Sequence, residues 1–228
     1  MPTDGEVQCE NYIHYHCRHV SGFDFDHLEH RKQGDGAYAA DLPAIRQAIR
    51  QENAPYSPHD FTVSQAVSPR PIKFTRPGPV TIMDTTADCC YHDRRRLAAD
   101  LRDRVNREIR ALVDAGCRHI QVDEPLFARQ LDDALAFGMD GLERCFHKVP
   151  SGVTRTVHVC CGYPNHLDHE DYKKADAASF HLLAGFMDEL DFDLVSIEDT
   201  HCANNLALLE TFIHKSVVLV QSRSRDHE

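Results

Sequence analysis

From Pro71 onward the chain alternates short β-type runs with longer helical ones, an order that points to an α/β architecture built on a parallel sheet. Pro71–Thr75 reads as a first strand, ended by the breaker Pro77-Gly78-Pro79. A helix follows from Asp93 as N-cap. Its apolar positions Leu97, Leu101, Val105, Ile109, Leu112 and Val113 recur at helical spacing, and Gly116 stands where a C′ glycine belongs. His119–Asp123 is the second strand, and Leu131, Leu135 and Leu142 mark an irregular, partly helical region after it. Thr156–Cys160 is the third strand. Asp176 opens a helix carrying Phe180, Leu183, Met187 and Leu190; Leu194–Glu198 is the fourth strand. Residues 205–214 read as helix and Ser216–Gln221 as the fifth strand. Five strands in this order fit either a doubly wound sheet or a section of a (β/α)8 barrel.

The first seventy residues are less regular. Asp41–Arg50 reads as a short amphipathic helix with Leu42, Ile45 and Ile49 inward, and residues 34–36 and 55–58 read as loop. With no internal repeat or composition break, residues 1–228 are expected to form a single domain.

The formal net charge of -11 argues against nucleic acid or an anionic membrane as the main partner. There is no long apolar run, and Met1-Pro-Thr-Asp-Gly-Glu6 is not a signal peptide. Nine cysteines, an odd number without framework spacing, suggest reduced thiols and a cytoplasmic protein. Most of the sixteen histidines are expected to be solvated, including His14, His16 and His19, and His166 and His169 around Asp168.

The strand ends carry the chemistry. A strand sends residues i and i+2 to one face, so the His158 imidazole and the Cys160 thiol point the same way, while Cys161 points to the other. A nitrogen and a soft sulfur on a rigid strand suit Zn²⁺, although a buried strand that merely carries a His and two Cys reads the same way. Glu198 ends the next apolar run and, if sequential strands pair, neighbours the His158 strand and completes an N, S, O set. Three protein ligands with an open fourth position is the pattern of a catalytic zinc. Glu124 and Asp199 read instead as caps of helices that follow strands.

In chain order the blocks are Thr3-Asp-Gly-Glu6 with Glu10-Asn11, Pro77-Gly-Pro-Val-Thr81, Ile120-Gln-Val-Asp-Glu-Pro125, His158-Val-Cys160 and Ser196-Ile-Glu198. Together they resemble the catalytic half of cobalamin-independent methionine synthase, in the methionine synthase/uroporphyrinogen decarboxylase-like superfamily. The resemblance implies a (β/α)8 TIM-barrel fold, here incomplete and lacking its first and last strands, so that the chain is one partial barrel domain. It implies that His158, Cys160 and Glu198 hold Zn²⁺, that Asp123 is catalytic, and that Asp123 and Glu6 bind the substrate's amino group. The implied reaction moves a methyl group from a donor such as an N5-methyl folate to a small-molecule thiol such as homocysteine. A barrel lacking strands further implies an oligomer or partner chain that closes it.

Two places depart from the family pattern. Its fourth ligand, a cysteine near the last strand, has no counterpart, with Cys202 as a possible substitute. Asp84-Thr85-Thr86 stands where folate-using members carry an aromatic, so folate contact is not supported. The same scaffold would also serve a non-catalytic protein with a binding or assembly role, or other superfamily chemistry such as decarboxylation. Cys89-Cys90, Cys9 and Cys17 lack zinc-finger spacing, and Arg94-Arg95-Arg96 reads as a solvated helix start.

Overall fold

A computed structural model describes residues 1–6, 9–33, 38–160, 175–198 and 206–220. Its centre is a five-stranded sheet in which every neighbouring pair is parallel. The strands run in the order β3 (Phe74–Pro77), β5 (His119–Asp123), β6 (Thr154–Val159), β7 (Leu194–Glu198) and β8 (Ser216–Val220). Thr3 adds a parallel bridge beside β3. There the Lys73 amide donates to Pro2 O at 2.9 Å and the Asp4 amide to Lys73 O at 3.1 Å. This bridge carries Asp4 and Glu6 to the same rim as the carboxyl ends of the strands.

The sheet is open among the described residues, not a closed (β/α)8 ring. Val218 and Val220 of β8 share a face with Ser196 and Glu198 through the register, and both are exposed, at 45% and 43%.

Alternation gives the two faces opposite character. Phe74, Ile120, Val122, Val157, Val159, Val195 and Ile197 are buried together with apolar residues of α4 (Arg94–Asp114), α6 (Met139–Cys145) and α7 (Ala177–Glu189) in one continuous core. The other face carries Thr75, Gln121, Thr156, Ser196 and Glu198, all buried although polar.

Helix α4 follows its expected limits. The Asp93 carboxylate accepts the Arg96 amide at 3.1 Å, and Gly116, at φ +100°, lets the Gly116 and Cys117 amides return to Val113 O and Leu112 O. Asp176 caps α7 in the same manner, accepting the Ala178 amide. The Arg94–Arg96 start of α4 is exposed but partnered: Arg94 pairs with Asp133 at 2.5 Å and Arg95 donates to Ala136 O.

Several expectations are corrected. Asp41–Arg50 is not a helix: β2 (Tyr38–Ile45) pairs antiparallel with β1 (Phe23–Gln33) and parallel with β4 (Ala87–Asp88) in a second, three-stranded sheet. Pro43 decides this, because it cannot sit in a helix interior and it biases Leu42 to extended backbone. It lies opposite the register shift between Asp24 and Glu29, where no ladder donor is needed. Strand β3 starts and ends later than Pro71–Thr75, because pairing with β5 carries it through Pro77. The 205–214 helix shrinks to α8 (Ala207–Glu210), since Asp188 Oδ1 captures the amides of Ile213, His214 and Lys215 at 3.0, 2.9 and 3.2 Å.

His16 is likewise buried, not solvated. It lies on α1 (Tyr12–Arg18), its ring packs edge-on to Tyr12 and Tyr15, and Nδ1 meets the Tyr56 hydroxyl. The 34–36 loop, the His166–His169 segment and Asp199 lie outside the described residues. No helix among those described is long and apolar enough to cross a membrane.

Glu124 joins β5 to the next layer. Its carboxylate accepts the Val80 amide at 3.0 Å, the Thr81 amide at 2.9 Å and the Thr81 hydroxyl at 2.7 Å, capping α3 (Pro79–Asp84) from a neighbouring strand. Gly78 is required beside it, because a Cβ there would stand 2.2 Å from Glu124 Oε1. Glu124→Ala strands three buried donors, and denaturant unfolding should show a loss of ~3 kcal/mol. Burial pushes the Glu124 carboxyl up to about 7 from an ordinary 4.5, so the folded state binds more protons between those values. Stability should therefore fall as pH rises from 4.5 to 7, with a slope that Glu124→Gln removes.

Candidate metal and substrate site

One row of residues crosses the whole sheet. Pro77 pairs with Asp123, Asp123 with His158, and His158 with Ser196. Because paired residues of a parallel sheet share a face, Asp123, His158 and Ser196 stand side by side on the polar face at the carboxyl rim. One step further along, Val159 pairs with Ile197, so Cys160 and Glu198 follow together at the ends of β6 and β7. Cys160 and Glu198 are buried, at 2% and 3% exposure, and His158 is partly so.

His158 Nδ1 lies 3.1 Å from Ser196 Oγ, which fixes the ring and leaves Nε2 as the atom a metal would take. Burial holds the imidazole below its ordinary pKa and Lys73 adds to this, while the charges of Asp123 and Glu198 pull the other way. The neutral ring is the form that ligates metal. The Cys160 thiol faces Pro125 O at 3.9 Å.

The three expected ligands are thus gathered on adjacent strand ends, but their donor atoms are not drawn to one point. Among the described residues, the group whose donor atoms all lie within 4.8 Å of one another is Asp188, Glu189 and His214. That trio sits at the end of α7, near the amino end of β8, away from the rim. Asp188 Oδ1 is already engaged by three backbone amides, and Lys215 Nζ donates to Asp188 O at 2.8 Å, so the trio is accounted for as a turn clasp. Cys161 and Cys202 lie outside the described residues.

Asp123 is held from two sides. Tyr12 donates its hydroxyl to Oδ2 at 2.7 Å and Gln121 donates Nε2 to Oδ1 at 2.7 Å. Burial raises the Asp123 pKa against the lowering effects of His158, Tyr12, Gln121 and Lys73. Glu6 reaches the same rim through the Thr3 bridge and accepts the Thr75 hydroxyl. Asp4 also accepts from Thr75, at 3.2 Å, and burial followed by the charge of Glu6 pushes its carboxyl up to about 6. Tyr12, Gln121, Ser196 and Asp4 join the site only through the fold. Alternation along each strand could have placed Gln121 and Ser196 on the polar face, whereas nothing local marks Tyr12.

These features define a parallel-sheet α/β chain with nitrogen, sulfur and carboxylate donors assembled at one rim. The pattern of the family described as "Cobalamin-independent synthase, Catalytic domain" matches residues 2–138, and the chain belongs to that family. The match includes Glu6 and Asp123 and stops short of His158. Methionine synthase of Sulfolobus acidocaldarius is 32% identical over 179 residues, which is 77% of this chain and 50% of that protein. Methionine synthase of Saccharolobus solfataricus is 29% identical over 163 residues, covering 71% and 47%. The chain therefore spans about half the length of the curated relatives it matches.

Among solved structures, a B12-independent methionine synthase from Shewanella sp. W3-18-1, in complex with selenomethionine, superposes with a TM-score of 0.85 at 25% identity. It covers 95% of this chain and 63% of its own. A putative B12-independent methionine synthase from Listeria monocytogenes, at 18% identity, shows the same fold with a TM-score of 0.68 over 99% and 64%.

In metal-free protein, the His158 ring should titrate below 6.5 by NMR. Asp123→Asn should lower the midpoint further, because it removes an anion that favours imidazolium. An unchanged or raised midpoint in that variant would break the electrostatic link between the two residues.

Proposed function

We propose that this chain carries out, or contributes to, zinc-dependent transfer of a methyl group to a thiol such as homocysteine. The observation that supports it is the side-by-side placement of Asp123, His158 and Ser196 across three adjacent strands, with Cys160 and Glu198 at the next positions. In this reading His158, Cys160 and Glu198 hold the metal. The donor set fits zinc in kind: one imidazole, one thiolate and one carboxylate. The reading requires the three to close on one point when metal is present. A zinc ion held there would act as a Lewis acid that lowers the substrate thiol's pKa and keeps it nucleophilic at neutral pH.

The chain's own groups do the rest. Ser196 orients the His158 ring. Asp123, the catalytic carboxylate of this reading, holds the substrate's ammonium group with Glu6, so the sulfur is carried toward the rim's centre in a fixed orientation. The buried polar face excludes bulk water and strengthens each of these contacts. The methyl donor is left open, because Asp84-Thr85-Thr86 offers no aromatic on which a pterin could stack. We place the reaction in the cytoplasm, as nine cysteines without framework spacing suggest.

The sheet is read as one partial (β/α)8 barrel domain. Its remaining strands would come from another copy, a partner chain or a further segment, pairing at the β8 edge, which has no neighbouring strand among the described residues.

The test is metal content followed by assay. Zinc-replete protein should hold one zinc per chain and transfer methyl to homocysteine from a suitable donor. His158→Ala and Cys160→Ser should abolish zinc binding, and Ser196→Ala should weaken it about tenfold. Protein that folds and binds no zinc would leave the non-catalytic or decarboxylase-like alternatives.

A further inference from the structure

The two groups that hold Asp123 belong to a longer chain of contacts. Gln121 donates to Asp123 through Nε2, and its Oε1 accepts from Lys73 Nζ. An ammonium has only donors, so the lysine dictates which way the buried amide points. With Oε1 turned to Lys73, only the NH₂ end remains for Asp123. If the amide were reversed, two acceptors would face each other at one end and two donors at the other.

Tyr12 completes the arrangement from α1. Its helix start is fixed by Asn11, whose side chain accepts the amides of Ile13 and His14, both at 2.9 Å. Tyr12 therefore approaches Asp123 from a capped helix rather than from a loose loop. Its phenol is held well above its ordinary pKa by burial and by the Asp123 charge, so it remains a donor at neutral pH.

We propose that Tyr12, Gln121 and Lys73 are positioning residues. They orient the Asp123 carboxylate so that it prefers a thiol bearing an α-amino group over the same thiol acid without one. The inference rests on Asp123 being the ammonium anchor. Each carboxylate oxygen carries about two acceptor directions, and the relay occupies one on each. A substrate ammonium then meets a carboxylate whose plane is already fixed, instead of ordering it on binding.

The experiment measures binding of homocysteine and of 4-mercaptobutanoate, which lacks the amine, to metal-replete protein by calorimetry. Wild-type protein should prefer homocysteine. Tyr12→Phe and Gln121→Met should each reduce that preference about tenfold and leave the affinity for 4-mercaptobutanoate unchanged, as expected for loss of a hydrogen bond to a charged group. Lys73→Met should reduce the preference less, since it frees the amide to turn without removing it. Tyr12→Phe loses a single oxygen and keeps its ring against His16, so it separates positioning from folding.

Preference unchanged in both Tyr12→Phe and Gln121→Met overturns the relay while Asp123 stands as the anchor. Equal weakening of both ligands also overturns it, because the side chains would then only shape the site. Wild-type protein that binds both ligands alike, or neither, removes the anchor reading and the relay with it.

Discussion

The parallel register of β5, β6 and β7 is the constraint on which the site depends. Backbone hydrogen bonds at fixed spacing set Asp123 opposite His158 and His158 opposite Ser196. A slip of one residue in either pair would send one of these side chains into the apolar core and a valine or isoleucine to the rim. The register is in turn held by the core face, where Val122, Val157 and Ile197 have nowhere else to go. Hydrophobic burial on one face thus positions polar chemistry on the other.

That polar face would be costly in an isolated sheet, yet its groups are satisfied. Lys73, Gln121, Asp123 and Tyr12 form one hydrogen-bonded run, and Thr75 serves both Asp4 and Glu6. Glu124, on the opposite side, ties β5 to α3 through three donors. Such over-determined polar contacts specify a conformation, because a partly satisfied version is worse than none. The exposed valines of β8 mark where this closed logic stops and another element could pack.

The parts of the fold visible in the sequence were those governed by local rules. Asp93 and Gly116 bound α4 because capping and the positive φ of a C′ residue act over a few residues. The second sheet was not visible, because the pattern Leu42, Ile45, Ile49 imitates a helix and only Pro43 contradicts it. Pairing with β1 across a bulge settled the matter. His16 deceived for a related reason: a histidine among polar neighbours reads as solvated until Tyr12, Tyr15 and Tyr56 are folded around it.

The sequence by itself determined that His158 and Cys160 face the same way, since a strand's period of two is a property of covalent geometry. It also determined that strands and helices alternate from Pro71 onward, and the family motifs that surround Glu6 and Asp123. Only the tertiary structure decided which strand lies beside which, that Ser196 rather than another group steadies His158, and that Tyr12 reaches Asp123 across 111 positions of chain. Those choices depend on long-range register and packing, and no short window of sequence carries that information.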